Sequence, residues 1–362
     1  MTEKIYNLSA GPAMMPPPVL ERAQRELLSV GGCGMSVMEI SHRSTRFETI
    51  LSNAESGMRK LLAVPENYRI LFLQGGASMQ FSMVPINLLP SGGSADYVIT
   101  GAWGEKALAE ARKAGNINVI YTSAENGYRT IPDPAELAFT QNAAYIHYTS
   151  NETIEGVEFK YEINAGGTPI VCDASSNILS KPIDIESYAL LYAGAQKNIG
   201  PSGVTVVIIR DDMLDRVPNG LPSQLDYRKY AENNSMPNTP NTWGIYLIGL
   251  VCEWLKSEGG ISEIERRNLA KATNLYSAID ASDGFYCGHA ERSVRSLMNV
   301  TFRLLNEELE EKFCSEATDA GFDGLRGHRS LGGIRASIYN AFPLEGVEAL
   351  VGFMQDFARR NG

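Results

Sequence analysis

A chain of 362 residues, 44% hydrophobic and 20% charged with 34 glycines, has the composition of a folded α/β protein, which excludes a disordered or collagen-like one. Its length favours two domains and a sizeable core. Forty-two acidic residues against 32 basic ones give a net charge of −10, which disfavours nucleic acid or an anionic membrane as main partner, so an anionic ligand needs a local basic pocket.

The five cysteines (Cys33, Cys172, Cys252, Cys287, Cys314) are dispersed and form no CxxC pair. They suggest neither a disulfide framework nor a zinc site, and a reducing cytoplasm fits them. The opening MTEKIYNLSAGPAMMPPP lacks an apolar segment of export type. The longest apolar stretch, Gly244 to Leu255, is too short to span a bilayer. A cytoplasmic protein is expected.

In chain order, Val19, Leu20, Ala23, Leu27 and Leu28 recur at helical spacing. After the polar SVMEISHRS, a second helix carries Phe47, Ile50, Leu51, Ala54, Met58 and Leu61 behind a capping box, Thr45 to Glu48. Strand-like runs follow at Ile70–Leu73, Tyr97–Thr100, Val119–Tyr121, Tyr145–Tyr148, Ile170–Cys172, Leu190–Tyr192 and Val204–Ile209. Alternation of such runs with helical segments predicts a seven-stranded, mostly parallel sheet with its chemistry in the loops. Residues 211–242, with the repeated PNTPNT, show no periodic core face and read as a long functional or interface loop. An all-round apolar helix follows over Trp243 to Leu255. Beyond Glu258-Gly-Gly260 come helix Ile261–Ile279, strand Leu297–Leu304, helix Glu307–Ala320, strand Ile334–Ile338 and helix Leu344–Arg360, a second, smaller α/β domain.

Several loops hold residues suited to chemistry. Gln74-Gly-Gly-Ala-Ser78 joins a strand to a helix, so it is either a plain glycine turn or a phosphate cradle of free N–H groups. No GxGxxG or GxxxxGK[ST] pattern is present. Trp103, at a similar junction, either packs or stacks on a planar ligand. Asp173 ends a buried-looking strand, where it caps the next turn or faces a cationic partner. Lys197 lies in a glycine-flanked segment between two apolar strands, which would desolvate its amine and make it a competent Schiff-base nucleophile. An aspartate and a lysine at adjacent strand ends match what pyridoxal phosphate needs, a partner for the ring nitrogen and one for the aldehyde. His42-Arg43, His328-Arg329 and Arg335 are small basic groups on an acidic chain, and arginine suits planar carboxylates and phosphates.

NLSAGPAMMPPPVL, ISHRS, QGGAS, GAWG, the Asp173 and Lys197 pair, PNTPNT and GHRSLGGIRASIYNA occur together and in order. On these the whole chain resembles the phosphoserine aminotransferases, class V members of the fold-type I pyridoxal-phosphate enzymes. The resemblance implies a large cofactor-binding domain over 16–259 and a small domain formed by 1–15 and 260–362. It implies that Lys197 carries the cofactor and that Asp173 partners its ring nitrogen. Trp103 matches the stacking ring, Ala77, Ser78 and Gln196 the phosphate-holding positions, and Thr153 the hydroxyl on the cofactor's phenolic oxygen. Asn238 and Thr239 match residues that reach the phosphate of a neighbouring subunit's cofactor, implying a homodimer with shared sites. Arg335 matches the clamp on the substrate's α-carboxylate, with His42 and Arg43 nearby, and His328 and Arg329, from the partner, match the group on its distal anion. Some family members carry an arginine where this chain has Ala77, leaving open what supplies that charge here.

The implied reaction moves an amino group between L-glutamate and 3-phosphohydroxypyruvate by a ping-pong scheme, giving O-phospho-L-serine and 2-oxoglutarate in serine biosynthesis. A role on the phosphorylated hydroxythreonine of vitamin B6 synthesis stays open. A class V lyase or cysteine desulfurase is the alternative; it needs a reactive thiol on a mobile loop, for which Cys287 in FYCGHA is the candidate.

Overall fold

A computed structural model describes residues 5–362 of the chain. The main elements are α1 (Pro17–Glu26), α2 (Thr45–Leu61), β1 (Tyr68–Leu73), α3 (Gly76–Leu88), β2 (Ser94–Ile99), α4 (Ala102–Ala111), β3 (Asn116–Thr122), β4 (Ile146–Thr149), β5 (Ile170–Asp173), β6 (Leu190–Gly194) and β7 (Thr205–Arg210). They continue with α5 (Asp211–Leu214), α6 (Tyr227–Glu232), α7 (Thr242–Ser257), α8 (Ile261–Asp280), β8 (Asn299–Arg303), α9 (Glu307–Asp319), β9 (Ile334–Ser337) and α10 (Leu344–Asn361).

All seven expected strands form one sheet, in the order β1-β7-β6-β5-β4-β2-β3. Only β7 runs antiparallel to its neighbours. Helices cover both faces, so the strands are apolar on both sides, as a buried parallel sheet requires. Where a strand runs past its expected start, polar residues had hidden it. Arg69 in β1 pairs with Asp211 at 2.8 Å, and Asp96 in β2 accepts from the Thr140 N–H at 2.7 Å.

Local chemistry moves three helical boundaries. The cap of α2 is Ser44, whose Oγ accepts from the Phe47 N–H at 3.4 Å, rather than Thr45. In α1 only Val19 and Ala23 are buried; the helix ends at Glu26, and Leu20, Leu27 and Leu28 are exposed. The expected loop over 211–242 contains α5 and α6. Asp226 caps α6 by accepting from the Arg228 and Lys229 N–H groups, and Tyr227 and Tyr230 are buried beneath the sheet's edge strand. A helix of six residues is too short to show a period.

Helix α7 is apolar all round because it is enclosed. Ile245, Ile248, Val251, Cys252 and Leu255 are almost fully buried between the sheet and α2. Each such side chain contributes about 1.5–3 kcal/mol of burial.

The C-terminal elements form a second core around Phe302, Phe313, Ile334, Val347 and Phe357, and Leu8 belongs to it. Tyr6–Asn7 pair in parallel with Phe322–Asp323. Cys287 lies not in a loop but in a two-residue strand against Arg303 of β8.

Polar groups tie this core to the large sheet. Lys271 of α8 is 2% exposed and donates to the carbonyls of Ile338, Tyr339 and Phe342 at 2.9, 2.7 and 3.0 Å. Burial pushes its ammonium down to about 7. Asn340, on the same turn, donates its side-chain N–H to the Leu179 carbonyl and its backbone N–H to Asn198 Oδ1, next to Lys197. Replacing Lys271 by Met takes the ammonium from all three carbonyls; that of Tyr339 keeps the Phe342 N–H at 2.9 Å, while those of Ile338 and Phe342 lose their side-chain donor. Urea unfolding of Lys271→Met is expected to show a loss of about 2–4 kcal/mol, and an unchanged midpoint would contradict this role.

Candidate active site

Six strands of the sheet aim their carboxyl ends at one edge, and five of the loops leaving that edge converge. After β1 comes Gln74–Ser78, after β2 Thr100–Trp103, after β4 Ser150–Thr153, after β5 Ala174–Ser176 and after β6 Ala195–Lys197. They enclose a cavity of about 400 Å³. This is the crevice where open α/β sheets place ligands. Gly75 and Gly76 have φ of 91° and 67°, which favour glycine. Their turn starts α3 at the cavity wall, where the first-turn N–H groups have no helical partner.

Asp173 and Lys197 line this cavity. The carboxylate is 4% exposed, and its Oδ1 accepts from the Ser175 N–H at 2.9 Å. The Ser175 side chain also hydrogen-bonds this carboxylate. Asp173 thus caps the following turn, one of the two readings of the sequence, and borders the cavity. Burial raises its pKa, and Lys197 opposes that shift. Lys197 Nζ donates to Thr153 Oγ1 at 2.7 Å and Ser176 Oγ at 2.8 Å. Desolvation lowers the amine to about 8, against the pull of Asp173 and Glu152. The side chain is half-buried in the wall of the cavity.

Trp103 packs beside Phe81, ring centroids 6.4 Å apart, and its Nε1 is buried without a partner. Its placement depends on two carboxylates that the sequence reading did not single out. Glu152 accepts from the N–H groups of Trp103 and Gly104 at 3.0 and 2.8 Å, and Glu155 accepts from that of Ala102 at 3.0 Å. The start of α4 is thus capped by the oxygens of two buried carboxyl groups, which accept from N–H groups that have no helical partner. Burial raises both groups, Glu152 well above the carboxylate range and Glu155 to about 7. Two glutamates in SNETIEG, among residues that flank a strand end, were the available signal.

Of the other expected residues, Ala77, Ser78, Thr153 and Gln196 line the cavity. Asn238 and Thr239 do not; the Thr239 carbonyl accepts from Gln74 Nε2 at 3.2 Å, and Asn238 Oδ1 is buried without a partner. Arg335 stands on β9 with its Nε buried and unpaired, and burial lowers its pKa. The charges of Arg335, Lys106 and Arg329 add to burial in holding His328 below the usual histidine range. Three cations thus lie within electrostatic reach of one imidazole. No contact ties His42 or Arg43 to them among the described residues; His42 Nε2 is buried and unpaired, and Arg43 is exposed. Ser175, Ser176 and the N-terminal segment were also missed. A Cβ on Gly11 would lie 3.3 Å from Gln196 Cγ, and Tyr339 donates its hydroxyl to the Ala10 carbonyl at 2.8 Å.

A desolvated lysine and a buried carboxylate at adjacent strand ends, beside an indole and a glycine-built helix start, define a site for a planar, phosphorylated carbonyl cofactor. Comparison with known proteins agrees: residues 5–350 match the model of the family Aminotransferase class-V, and the chain belongs to that family. It is 56% identical over 360 residues to the phosphoserine aminotransferase of Geobacillus kaustophilus, covering 99% of both chains. It is 52% identical to that of Pseudomonas putida, covering 100% of both. Among solved structures, phosphoserine aminotransferase from Bacillus circulans subsp. alkalophilus superposes with a TM-score of 0.98 at 49% identity, covering all of both chains. The PLP-bound enzyme from Trichomonas vaginalis gives 0.92 at 38%, covering 97% of this chain and 100% of that one.

The capping glutamates make a direct prediction. A Cβ on Gly101 would sit 2.5 Å from Glu152 Cδ and displace the carboxylate from two N–H groups. Gly101→Ala is expected to destabilise by about 2–4 kcal/mol in urea. Gly352→Ala, in α10 with open space around it, should instead stabilise by about 0.5–1 kcal/mol.

Proposed function

We propose that this chain is a pyridoxal 5′-phosphate-dependent aminotransferase that moves an amino group between L-glutamate and 3-phosphohydroxypyruvate, giving 2-oxoglutarate and O-phospho-L-serine. The observation that carries the reading is the Lys197 amine, poised near neutrality in a cavity it shares with a buried carboxylate.

The residues fit the cofactor. The buried Asp173 carboxylate suits a protonated ring nitrogen, the Trp103 face suits a ring, and Ser78, Gln196 and the α3 N–H groups suit a phosphate. When bound, pyridoxal phosphate supplies an electron sink for the charge left on Cα as its proton departs. The chain supplies the rest. Asp173 holds a positive charge at the ring nitrogen, because an anion this buried is stabilised by an opposite charge. Thr153 and Ser176 hold the Lys197 amine in line. Once displaced by substrate, that amine is a base of suitable strength to take the Cα proton and return it elsewhere. Arg335, unpaired and half-buried, is suited to the α-carboxylate.

The division into 16–259 and 1–15 with 260–362, the cytoplasmic setting and a homodimer sharing its sites belong to the same proposal. Asn238, Thr239, His42 and Arg43, which do not face this chain's own cavity, are suited to meet a second copy's. His328 and Arg329, assigned with the partner's site, hold the substrate's distal anion in the same proposal; the charge of Arg335 reaches His328 within its own chain as well. The lyase alternative lacks its thiol: no cysteine lines the cavity, and Cys287 is held in a strand.

Two outcomes are expected. The visible band of the holoprotein should fall on adding O-phospho-L-serine and return with 2-oxoglutarate, while a band consumed by cysteine alone would overturn the reading. Lys197→Ala should lose about 10³-fold or more in turnover yet fold normally by circular dichroism.

A further inference from the structure

Lys106 follows Trp103 by three residues on α4, and its ammonium lies 4.0 Å from the centre of the Trp103 ring. The side chain is exposed and has no ion-pair or hydrogen-bond partner among the described residues. Its charge reaches His328 on one side and Glu155 on the other. Arg335 and Arg329 act on the same histidine. Three cations therefore act on one imidazole in a chain whose net charge is −10, and none of these four basic groups has a salt bridge among the described residues. Glu155, which the charges of Arg335 and Lys106 reach, is buried and already accepts from the Ala102 N–H. A cation close to the N-terminus of a helix gains nothing from the helix dipole. Such an arrangement costs stability in the free protein and is relieved by a ligand carrying more than one negative charge.

We propose that Lys106 binds the distal phosphate of the substrate and sets the preference for phosphorylated over carboxylate-bearing amino acids. The inference rests on the reading that the enzyme transaminates a phosphorylated substrate, and it names the residue that distinguishes its two amino donors. Arg335 presents a planar fork suited to a carboxylate; an ammonium is a compact point charge that suits a tetrahedral dianion. Ala77, which lines the cavity, brings no charge, and Lys106 is the cation held over the indole that lines the same cavity. A flexible stem over the indole lets the ammonium follow the phosphate as substrate enters.

The test uses holoprotein and Lys106→Met, which keeps an apolar stem on the ring. The KM for O-phospho-L-serine should rise about 10- to 100-fold, the span of a lost charge-assisted bond. That for L-glutamate should rise no more than about threefold, and kcat should hold for both. Inorganic phosphate, as a competitive inhibitor, should weaken by about tenfold. Lys106→Arg should restore most of each. A KM for phosphoserine unchanged in Lys106→Met would overturn the proposal. An equal rise for both donors, with faster cofactor loss on dialysis, would overturn it too and make Lys106 a support for Trp103. Wild-type protein inert toward phosphoserine would instead overturn the reading beneath it, a result read before any variant is made.

Discussion

A carboxylate and an amine that share one cavity set the terms for the rest of this molecule. Neither Asp173 nor Lys197 could be buried alone, because an isolated charge in a protein interior is far costlier than the few kcal/mol by which a domain is stable. Each holds the other's shift in check: burial drives the acid up and the amine down, and their attraction opposes both. The result is a lysine that is part amine at neutral pH while still anchored by two hydroxyls. The parallel sheet makes this possible. Adjacent strands β5 and β6 run the same way, so the residues that follow them emerge side by side at one edge.

Around the pair, two further constraints act at a distance. Buried Glu152 and Glu155 cap α4 and so fix the indole of Trp103. Lys271, Asn268 and Asn340 knit the turn after β9 to the strand ends of the large sheet. That turn follows Arg335, so the same network places the substrate-side cation relative to the lysine. Positioning in this protein is thus done by buried polar groups whose hydrogen bonds reach across elements, although Glu155 Oε2 and Asn268 Oδ1 are left without a partner among the described residues.

Much of this was legible in the sequence. The seven short apolar runs gave seven strands because burial on both faces makes them continuous in composition. Asp173, Lys197, Trp103 and the QGGAS turn could be placed because strand ends in an α/β sheet share an edge. Other features left no such trace. Leu27 and Leu28 continued an apolar period past the end of α1, since composition does not record where a helix stops. Helix α6 escaped because one and a half turns carry no period. Glu152, Glu155 and Lys271 look like ordinary charged residues until the fold brings backbone donors or carbonyls to them. The placing of Lys106 over Trp103 depends likewise on a side chain's rotamer, which no spacing rule reveals.

The claim that the buried pair tunes the nucleophile can be measured directly. The pH dependence of Lys197 acylation in the cofactor-free protein, read by mass spectrometry of its peptide, gives the amine's pKa. The account predicts a value of about 8 in the wild type, and a lower one in Asp173→Asn, where the stabilising charge is gone. A lysine titrating near its ordinary 10.5, or one indifferent to the loss of Asp173, would contradict it.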